Sequence, residues 1–291
     1  MRGLWSAVVL PIIAGGCALI LIGCGGAGLR AGQPSDSGLA VETVNLHPFA
    51  DDPNQKPRWM NIADYLYASS FRSTFRYPDN TVTLTYTTQE APLRFTVRAP
   101  YRTLKPDFCY QMKIEGPRQP WSNDPTGDDF VNYQLGSKGR WWCDSCNASL
   151  TDGQVASHAG HYVKGYLYFD FLVTDRNGAV QQTTTVSNSY HVTWKTSQRA
   201  RAANDGRARS CLVAGTKDGW AYDRNQRATT VGLYGEWEPG RALPGTLALA
   251  PGSYGGVEFR LTEESFHSSN PHGGTWRTVM SAPNLSFVIS G

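Results

Sequence analysis

The feature that most constrains the fold is an alternation of polar and apolar residues with a period of two. Residues 81–86 alternate threonine with apolar residues, and residues 93–99 alternate leucine, phenylalanine, valine and alanine with polar residues. Because successive side chains of a β-strand point to opposite faces, this pattern predicts strands with one buried face. Further strands are predicted at residues 108–114, 166–174, 186–194, 230–237, 246–249, 254–261 and 285–289.

Composition also favours an all-β fold. The chain contains 30 glycines, 17 prolines, 14 tyrosines and 9 tryptophans, and long runs of helix-forming residues at helical spacing are missing. This balance is typical of strands joined by turns. The Asn177-Gly178 pair between two predicted strands indicates a hairpin. A net charge of +3 is too small to indicate a polyanionic partner, so no nucleic acid is expected.

The first 24 residues predict export. Arg2 precedes an apolar segment over residues 4–22, which is typical of a secretory signal. An uncleaved membrane anchor is disfavoured because the segment is barely long enough to span a bilayer and contains Pro11.

The end of this segment, Leu21-Ile22-Gly23-Cys24, resembles a bacterial lipobox. The resemblance implies a lipoprotein signal peptide over residues 1–23 and acylation, including palmitate, at Cys24. It also implies a protein of the bacterial cell envelope, anchored by lipid to a membrane and facing the periplasm or the cell surface. A second, poorer lipobox ends at Cys17 and lacks the leucine.

Domain organisation follows from where the alternating pattern begins. Residues 24–58 are rich in glycine, proline and aspartate without apolar periodicity, which predicts a flexible tether. Residues 59–291 are predicted to form the folded domain, with an insertion at about 116–165. Two sandwich subdomains remain an alternative to one large domain, which a chain of 291 residues can accommodate.

Two segments share a leucine, a proline and a tyrosine. They are Leu104, Pro106 and Tyr110 in the first, and Leu249, Pro251 and Tyr254 in the second. Both resemble the tyrosine corner of fibronectin type III and immunoglobulin-like domains, in which the tyrosine hydroxyl bonds back to the preceding loop. The resemblance implies an immunoglobulin-like β-sandwich and does not indicate a function.

The densest group of chemically active residues lies within residues 140–161. Cys143 and Cys146 stand three positions apart, as do His158 and His161, which are the residue types and approximate spacing of a Cys2His2 zinc site. Thr151 is expected to cap a short helix that brings the two histidines to one face. This arrangement predicts a structural zinc ion with a complete set of four ligands.

A disulfide between Cys143 and Cys146, with the histidines as bystanders, is the main alternative in an exported chain. The Trp142-Cys143-x-x-Cys146 sequence also has the form of a thiol-redox motif. That chemistry needs a strand–helix frame that lowers the pKa of the first thiol, and no such pattern surrounds it.

Cys109 and Cys211 remain once Cys24 is assigned to lipid and Cys143 and Cys146 to each other or to metal. Parity favours a disulfide between them, with two separate buried thiols as the alternative. Such a bond would close a loop of about 100 residues and stabilise the fold by about 4 to 5 kcal/mol.

A second polar cluster combines two carboxylates with two imidazoles: Glu263, Glu264, His267 and His272. These groups could bind a metal or act as general acid and base, and a solvated loop is the simpler interpretation.

Tryptophans suggest a carbohydrate ligand. The candidates for stacking on a sugar are Trp141, Trp142, Trp220, Trp237 and Trp276. Packing in the core accounts for aromatic residues equally well.

No sequence motif of a hydrolase, a phosphate-binding loop or a dinucleotide-binding protein is found. We therefore expect an envelope lipoprotein that binds or scaffolds, with a protein or a carbohydrate as ligand and a structural zinc site. The alternative is an exported metal-dependent enzyme or metal-handling protein that uses the insertion together with Glu264 and His267.

Overall fold

A computed structural model of the protein describes residues 40–50, 56–89, 92–196, 205–213, 220–264 and 276–291. The predicted signal peptide and Cys24 lie outside these residues. The fold is mostly β with antiparallel sheets, which confirms the all-β prediction. Within the described ranges, no helix combines the length and the hydropathy that crossing a membrane requires.

The strands, in chain order, are β1 Val41–Asn45, β2 His47–Pro48, β3 Thr83–Thr87, β4 Arg94–Ala99, β5 Cys109–Glu115, β6 Gln119–Pro120, β7 Arg140–Cys143, β8 Ala148–Leu150, β9 Tyr162–Val173, β10 Val180–Thr185, β11 Tyr190–Lys195, β12 Asp205–Val213, β13 Thr229–Trp237, β14 Gly252–Glu263 and β15 Arg277–Ile289. The helices are α1 Ser69–Thr74, α2 Phe130–Lys138 and α3 Asp152–Val155, with 3-10 turns at Gly127–Asp129 and Ala156–His158.

Two sheets pack against each other through one apolar core. Among the described residues, the smaller sheet has the order β1-β3-β4-β10, and the larger sheet has the order β12-β13-β11-β9-β5-β14-β15-β2. Phe95 on β4 packs against Phe169 on β9 and Phe259 on β14, with ring centroids 5.4 Å apart in both pairs. All three side chains are fully buried, so the contact between the sheets excludes water.

The predicted tether ends earlier than residue 58. β1 pairs with β3 at the edge of the smaller sheet, and β2 pairs with β15. Leu46, between the two strands, is fully buried in the core. The polar composition of this stretch is that of an edge strand with mostly exposed side chains, which composition alone does not separate from a flexible segment.

The turn at Asn177-Gly178 does not make the predicted hairpin. Gly178 has a φ of +69°, and a Cβ there would lie 2.0 Å from the carbonyl oxygen of Leu104, so the turn needs glycine. β10, however, pairs with β4 and not with β9. The turn therefore passes the chain from the larger to the smaller sheet.

The strand predicted at residues 246–249 is also absent from this described stretch. Leu247 and Leu249 are buried in the core, which explains their apolar pattern. The segment is irregular: the Leu247 N–H donates to the Ser187 carbonyl, and the Thr246 N–H donates to the nearby Leu243 carbonyl.

Both predicted tyrosine-corner hydrogen bonds are present. The Tyr110 hydroxyl accepts a hydrogen bond from the backbone N–H of Lys105 at 3.0 Å. The Tyr254 hydroxyl donates to the backbone carbonyl of Ala250 at 2.9 Å. Both tyrosines belong to the core shared by the two sheets, so each bond attaches a loop to that core.

Removal of these hydroxyls should destabilise the fold. We expect Tyr254→Phe to lower the free energy of unfolding by about 1 kcal/mol, and Tyr110→Phe by about 1 to 3 kcal/mol because the buried Lys105 N–H loses its acceptor. Tyr101→Phe is the matched control, since Tyr101 is 60% exposed. Urea-induced unfolding followed by tryptophan fluorescence measures the difference. Equal stability of all three variants would contradict this role.

Residues between β5 and β9 add a small layer to the larger sheet. β7 pairs with both β8 and β9. α2 lies against β9, where Gly165 has no side chain and so allows the backbone of Asn132 on α2 to approach closely. This layer has its own apolar cluster, which consists of Trp121, Trp141, Cys143, Leu150, Val155 and Val163.

Candidate functional site

A cleft of about 490 Å³ lies on the face of the larger sheet that points away from the smaller sheet. Strand alternation places it there. On β5, Met112 and Ile114 face the core between the sheets, whereas Lys113 and Glu115 line the cleft. The layer between β5 and β9 forms one side, because Arg140 and Trp142 also line it.

The lining combines aromatic and charged side chains. The aromatic residues are Phe49, Trp142, Tyr166, Tyr168 and Trp276, and the charged residues are Lys113, Glu115, Arg140, Asp144, Lys164 and Arg260. Tyr168 packs against Trp276 with ring centroids 5.1 Å apart and against Tyr166 at 5.7 Å. The cleft therefore offers flat apolar surfaces beside groups that form hydrogen bonds.

Glu115 is the centre of an ion cluster on the floor of the cleft. It forms an ion pair with Lys113, and its Oε2 lies 3.0 Å from Arg260 Nη1 and 3.7 Å from Lys164 Nζ. Burial alone would raise the pKa of Glu115, but Lys113, Arg260 and Lys164 outweigh it and lower this pKa to about 2. The carboxylate is thus ionised throughout the neutral and mildly acidic range.

Further ion pairs surround the rim. Asp144 Oδ2 lies 3.5 Å from Lys164 Nζ and 3.2 Å from Arg118 Nε. Arg140 Nε donates to Glu238 Oε2 at 2.7 Å. The rim is therefore held by contacts between side chains from different strands and loops.

Glu115→Gln should destabilise the protein in a pH-dependent way. A pKa lowered from 4.5 to about 2 means that the ionised carboxylate stabilises the fold above pH 4.5, and that this contribution is lost as the pH falls toward 2. At pH 7 we expect the variant to lose about 3 kcal/mol of unfolding free energy, and the difference from the unaltered protein to shrink between pH 4.5 and 2.

Chemical denaturation at a series of pH values tests this expectation. The control is Glu258→Gln, which removes the more exposed partner of Arg260 and should cost about 1 kcal/mol or less. A pH-independent difference between Glu115→Gln and the unaltered protein would show that the charge of Glu115 is not what stabilises this region.

Cys143 and Cys146 form a disulfide in the turn between β7 and β8. Cys143 is buried and Cys146 is exposed. The backbone N–H of Cys146 donates to Cys143 Sγ at 3.0 Å, and His161 Nδ1 lies 3.7 Å from Cys146 Sγ and 3.1 Å from Ser145 Oγ. The ligand atoms of Cys143, Cys146 and His161 all lie within 4.8 Å of one another.

His158 does not join this group. The expected N-cap is present, since Thr151 caps α3 with a reciprocal bond to Gln154. The Nδ1 atom of His158 is 2.7 Å from the Gln154 carbonyl oxygen, and its ring lies 5.3 Å from that of His161. Three of the four predicted metal ligands are therefore assembled.

Glu263 and Glu264, from the second polar cluster, are both buried. Glu263 forms an ion pair with Lys105, and Oε1 accepts a hydrogen bond from the Tyr77 hydroxyl at 2.7 Å. Burial lowers the pKa of Lys105 to about 8, although Glu263 opposes this effect. Glu263 is therefore one partner of a buried ion pair. The other two residues of the cluster, His267 and His272, lie outside the described residues.

The predicted disulfide between Cys109 and Cys211 is not formed. Cys109 carries a free and fully buried thiol, and burial raises its pKa. Both cysteines belong to one small apolar cluster that includes Phe171. Parity counts the cysteines that are able to pair but does not identify which of them do so.

The five candidate tryptophans have different environments. Trp142 and Trp276 line the cleft. Trp141 is buried against Trp121, Trp220 packs on Phe71, and Trp237 stacks on Tyr190. Those three are packing residues.

The charged floor was not found from the sequence. Lys113 is a polar position of the strand predicted at residues 108–114 and Glu115 follows that strand, so alternation predicts only a solvated face there. No protein-family model, curated protein or solved structure matches the chain.

Proposed function

We propose that this chain is a lipid-anchored protein of the bacterial cell envelope that binds a saccharide in the cleft of the larger sheet. The lipobox-like segment ending at Cys24 supports the anchor. The cleft supports the binding role, since its volume of about 490 Å³ is within the usual range for a small-molecule site.

Buried polar atoms on the cleft floor carry the proposal. Arg260 Nε and Thr262 Oγ1 are buried and have no hydrogen-bond partner among the described residues. Buried groups of this kind are costly unless they are bonded to protein, water or ligand. Sugar hydroxyls both donate and accept hydrogen bonds, so they suit both atoms once the side chains that cover these atoms move aside.

Aromatic side chains beside this floor favour a sugar over other polar ligands. A sugar ring has a face of C–H groups and a rim of hydroxyls. Trp276, Tyr168 and Trp142 provide flat surfaces for the C–H face, while the charged side chains can bind the hydroxyls.

Binding fits the charged groups better than acid catalysis. A general acid near neutral pH needs a pKa close to that pH. The pKa of Glu115 is about 2, because three cations surround it, so this residue holds no proton to donate. We therefore assign Glu115 a positioning role for Lys113, Lys164 and Arg260.

For the fold, we propose the immunoglobulin-like type of sandwich. The two hydrogen bonds that attach Tyr110 and Tyr254 to their preceding loops support it.

Saccharide binding can be tested by titration calorimetry of the full chain against soluble oligomers of neutral hexose, N-acetylhexosamine and uronic acid. Trp142→Ala and Trp276→Ala should each weaken binding of the active oligomer about tenfold or more, because each removes a stacking surface. Tyr101→Ala is the control, since it removes an exposed aromatic side chain that does not line the cleft. The proposal fails if none of the oligomers binds or if both tryptophan variants bind like the unaltered chain.

Lipidation is tested by expressing the full chain in a bacterial host with an alkyne-labelled palmitate. We expect the unaltered chain and the Cys17→Ser variant to carry the label, and the Cys24→Ser variant to lack it. Only Cys24 follows a leucine at the lipobox position. Label that persists in Cys24→Ser, or that disappears in Cys17→Ser, would contradict acylation at Cys24.

A further inference from the structure

We propose that reduction of the Cys143–Cys146 disulfide creates a three-ligand site for a zinc ion, with Cys143 Sγ, Cys146 Sγ and His161 Nδ1 as ligands and an open fourth position. This inference does not depend on saccharide binding. It differs from the closed four-ligand zinc site that the sequence alone predicts.

The turn that carries the cysteines has the geometry for holding a metal. The N–H of Cys146 points to Cys143 Sγ at 3.0 Å, an arrangement that stabilises a thiolate on Cys143. Asn147, which follows, has a φ of +50° and returns the chain into β8. Sγ atoms in such a tight turn are directed toward the same point.

His161 is positioned by the backbone and not by the disulfide. Its carbonyl accepts a hydrogen bond from the Trp121 N–H at 2.8 Å, and the Asp144 N–H donates to the next carbonyl, that of Tyr162, at 2.8 Å. In addition, Cys143 pairs with Val163 between β7 and β9. These bonds persist when the disulfide is opened, so the three ligands stay close together.

The imidazoles have different environments. His161 Nδ1 faces Ser145 Oγ and Cys146 Sγ, so this atom is the one available to the metal. His158 uses Nδ1 to donate to the Gln154 carbonyl, and its atoms stay outside the 4.8 Å group. We therefore leave the fourth position to water or to an external ligand, as in zinc sites with three protein ligands.

The chemistry balances with a dithiol as reductant. The dithiol delivers two electrons and two protons to the Cys143–Cys146 bond, which breaks into two thiols while the dithiol becomes a disulfide. Zinc binding then displaces one proton from each thiol to solvent. His161 contributes the lone pair of Nδ1 and keeps its proton on Nε2. In the reverse direction a disulfide oxidant takes two electrons from the two thiolates and becomes a dithiol, the Cys143–Cys146 bond re-forms and the ion is released, so metal affinity follows the redox state.

Zinc affinity is measured by titrating the full chain with Zn²⁺ in competition with a chromophoric chelator. One sample is the oxidised protein. The other is reduced, and the reductant is then removed under anaerobic conditions. We expect one tightly held ion and about two released protons in the reduced protein only. His161→Ala should weaken binding by about a hundredfold or more, beyond the ten- to hundredfold loss typical of an outer-shell change.

Two variants give the matched controls. His158→Ala should change zinc affinity less than about tenfold, since His158 is not a ligand. Cys146→Ser should lose the tightly held ion, since it removes one of the three ligands, and stoichiometric zinc retained by this variant overturns the proposal. Equal zinc binding by oxidised and reduced protein, or no stoichiometric zinc after reduction, overturns the proposal. An equal loss of zinc affinity in His158→Ala and His161→Ala contradicts the open fourth position and indicates a closed site with four protein ligands.

Discussion

The ion cluster around Glu115 is the constraint on which the larger sheet depends. Every residue of β5 is buried, so this strand has neighbours on both faces. Its apolar face packs against the smaller sheet, and its charged face would be costly to bury without partners. Lys164 comes from β9 and Arg260 from β14, the two strands that flank β5. The ion pairs of Glu115 therefore connect β5, β9 and β14 and shape the cleft floor.

The layer between β5 and β9 connects the cleft to the cysteine centre. Trp142, Cys143 and Asp144 are consecutive, and strand alternation separates them: Trp142 and Asp144 line the cleft, whereas Cys143 is buried in the apolar cluster of the layer. The disulfide turn thus lies directly behind one side of the cleft. The proposed binding residues and the disulfide-bonded cysteine share one short segment, and each group occupies its own face.

Local signals in the sequence predicted local structure well. Alternation located eight of the fifteen described strands and missed β10, β12 and the short or edge strands. The Thr151 cap and the two tyrosine corners follow from contacts only a few residues apart. Contacts between distant residues were not predictable in this way. Lys105 and Glu263 are 158 positions apart, so neither residue indicates that the other neutralises it. The pairing of β10 with β4 is likewise non-local, since Thr183 lies opposite Thr96, 87 positions away in the chain.

Hydroxyl-radical footprinting of the full chain, with and without the oligosaccharide that binds best, tests the central claim most directly. Trp142 and Trp276 line the cleft and are partly exposed, as is Trp220 at a different place on the surface. The account predicts that the saccharide protects Trp142 and Trp276 from oxidation while Trp220 reacts as before. Protection of Trp220 with continued oxidation of Trp142 and Trp276 would contradict it.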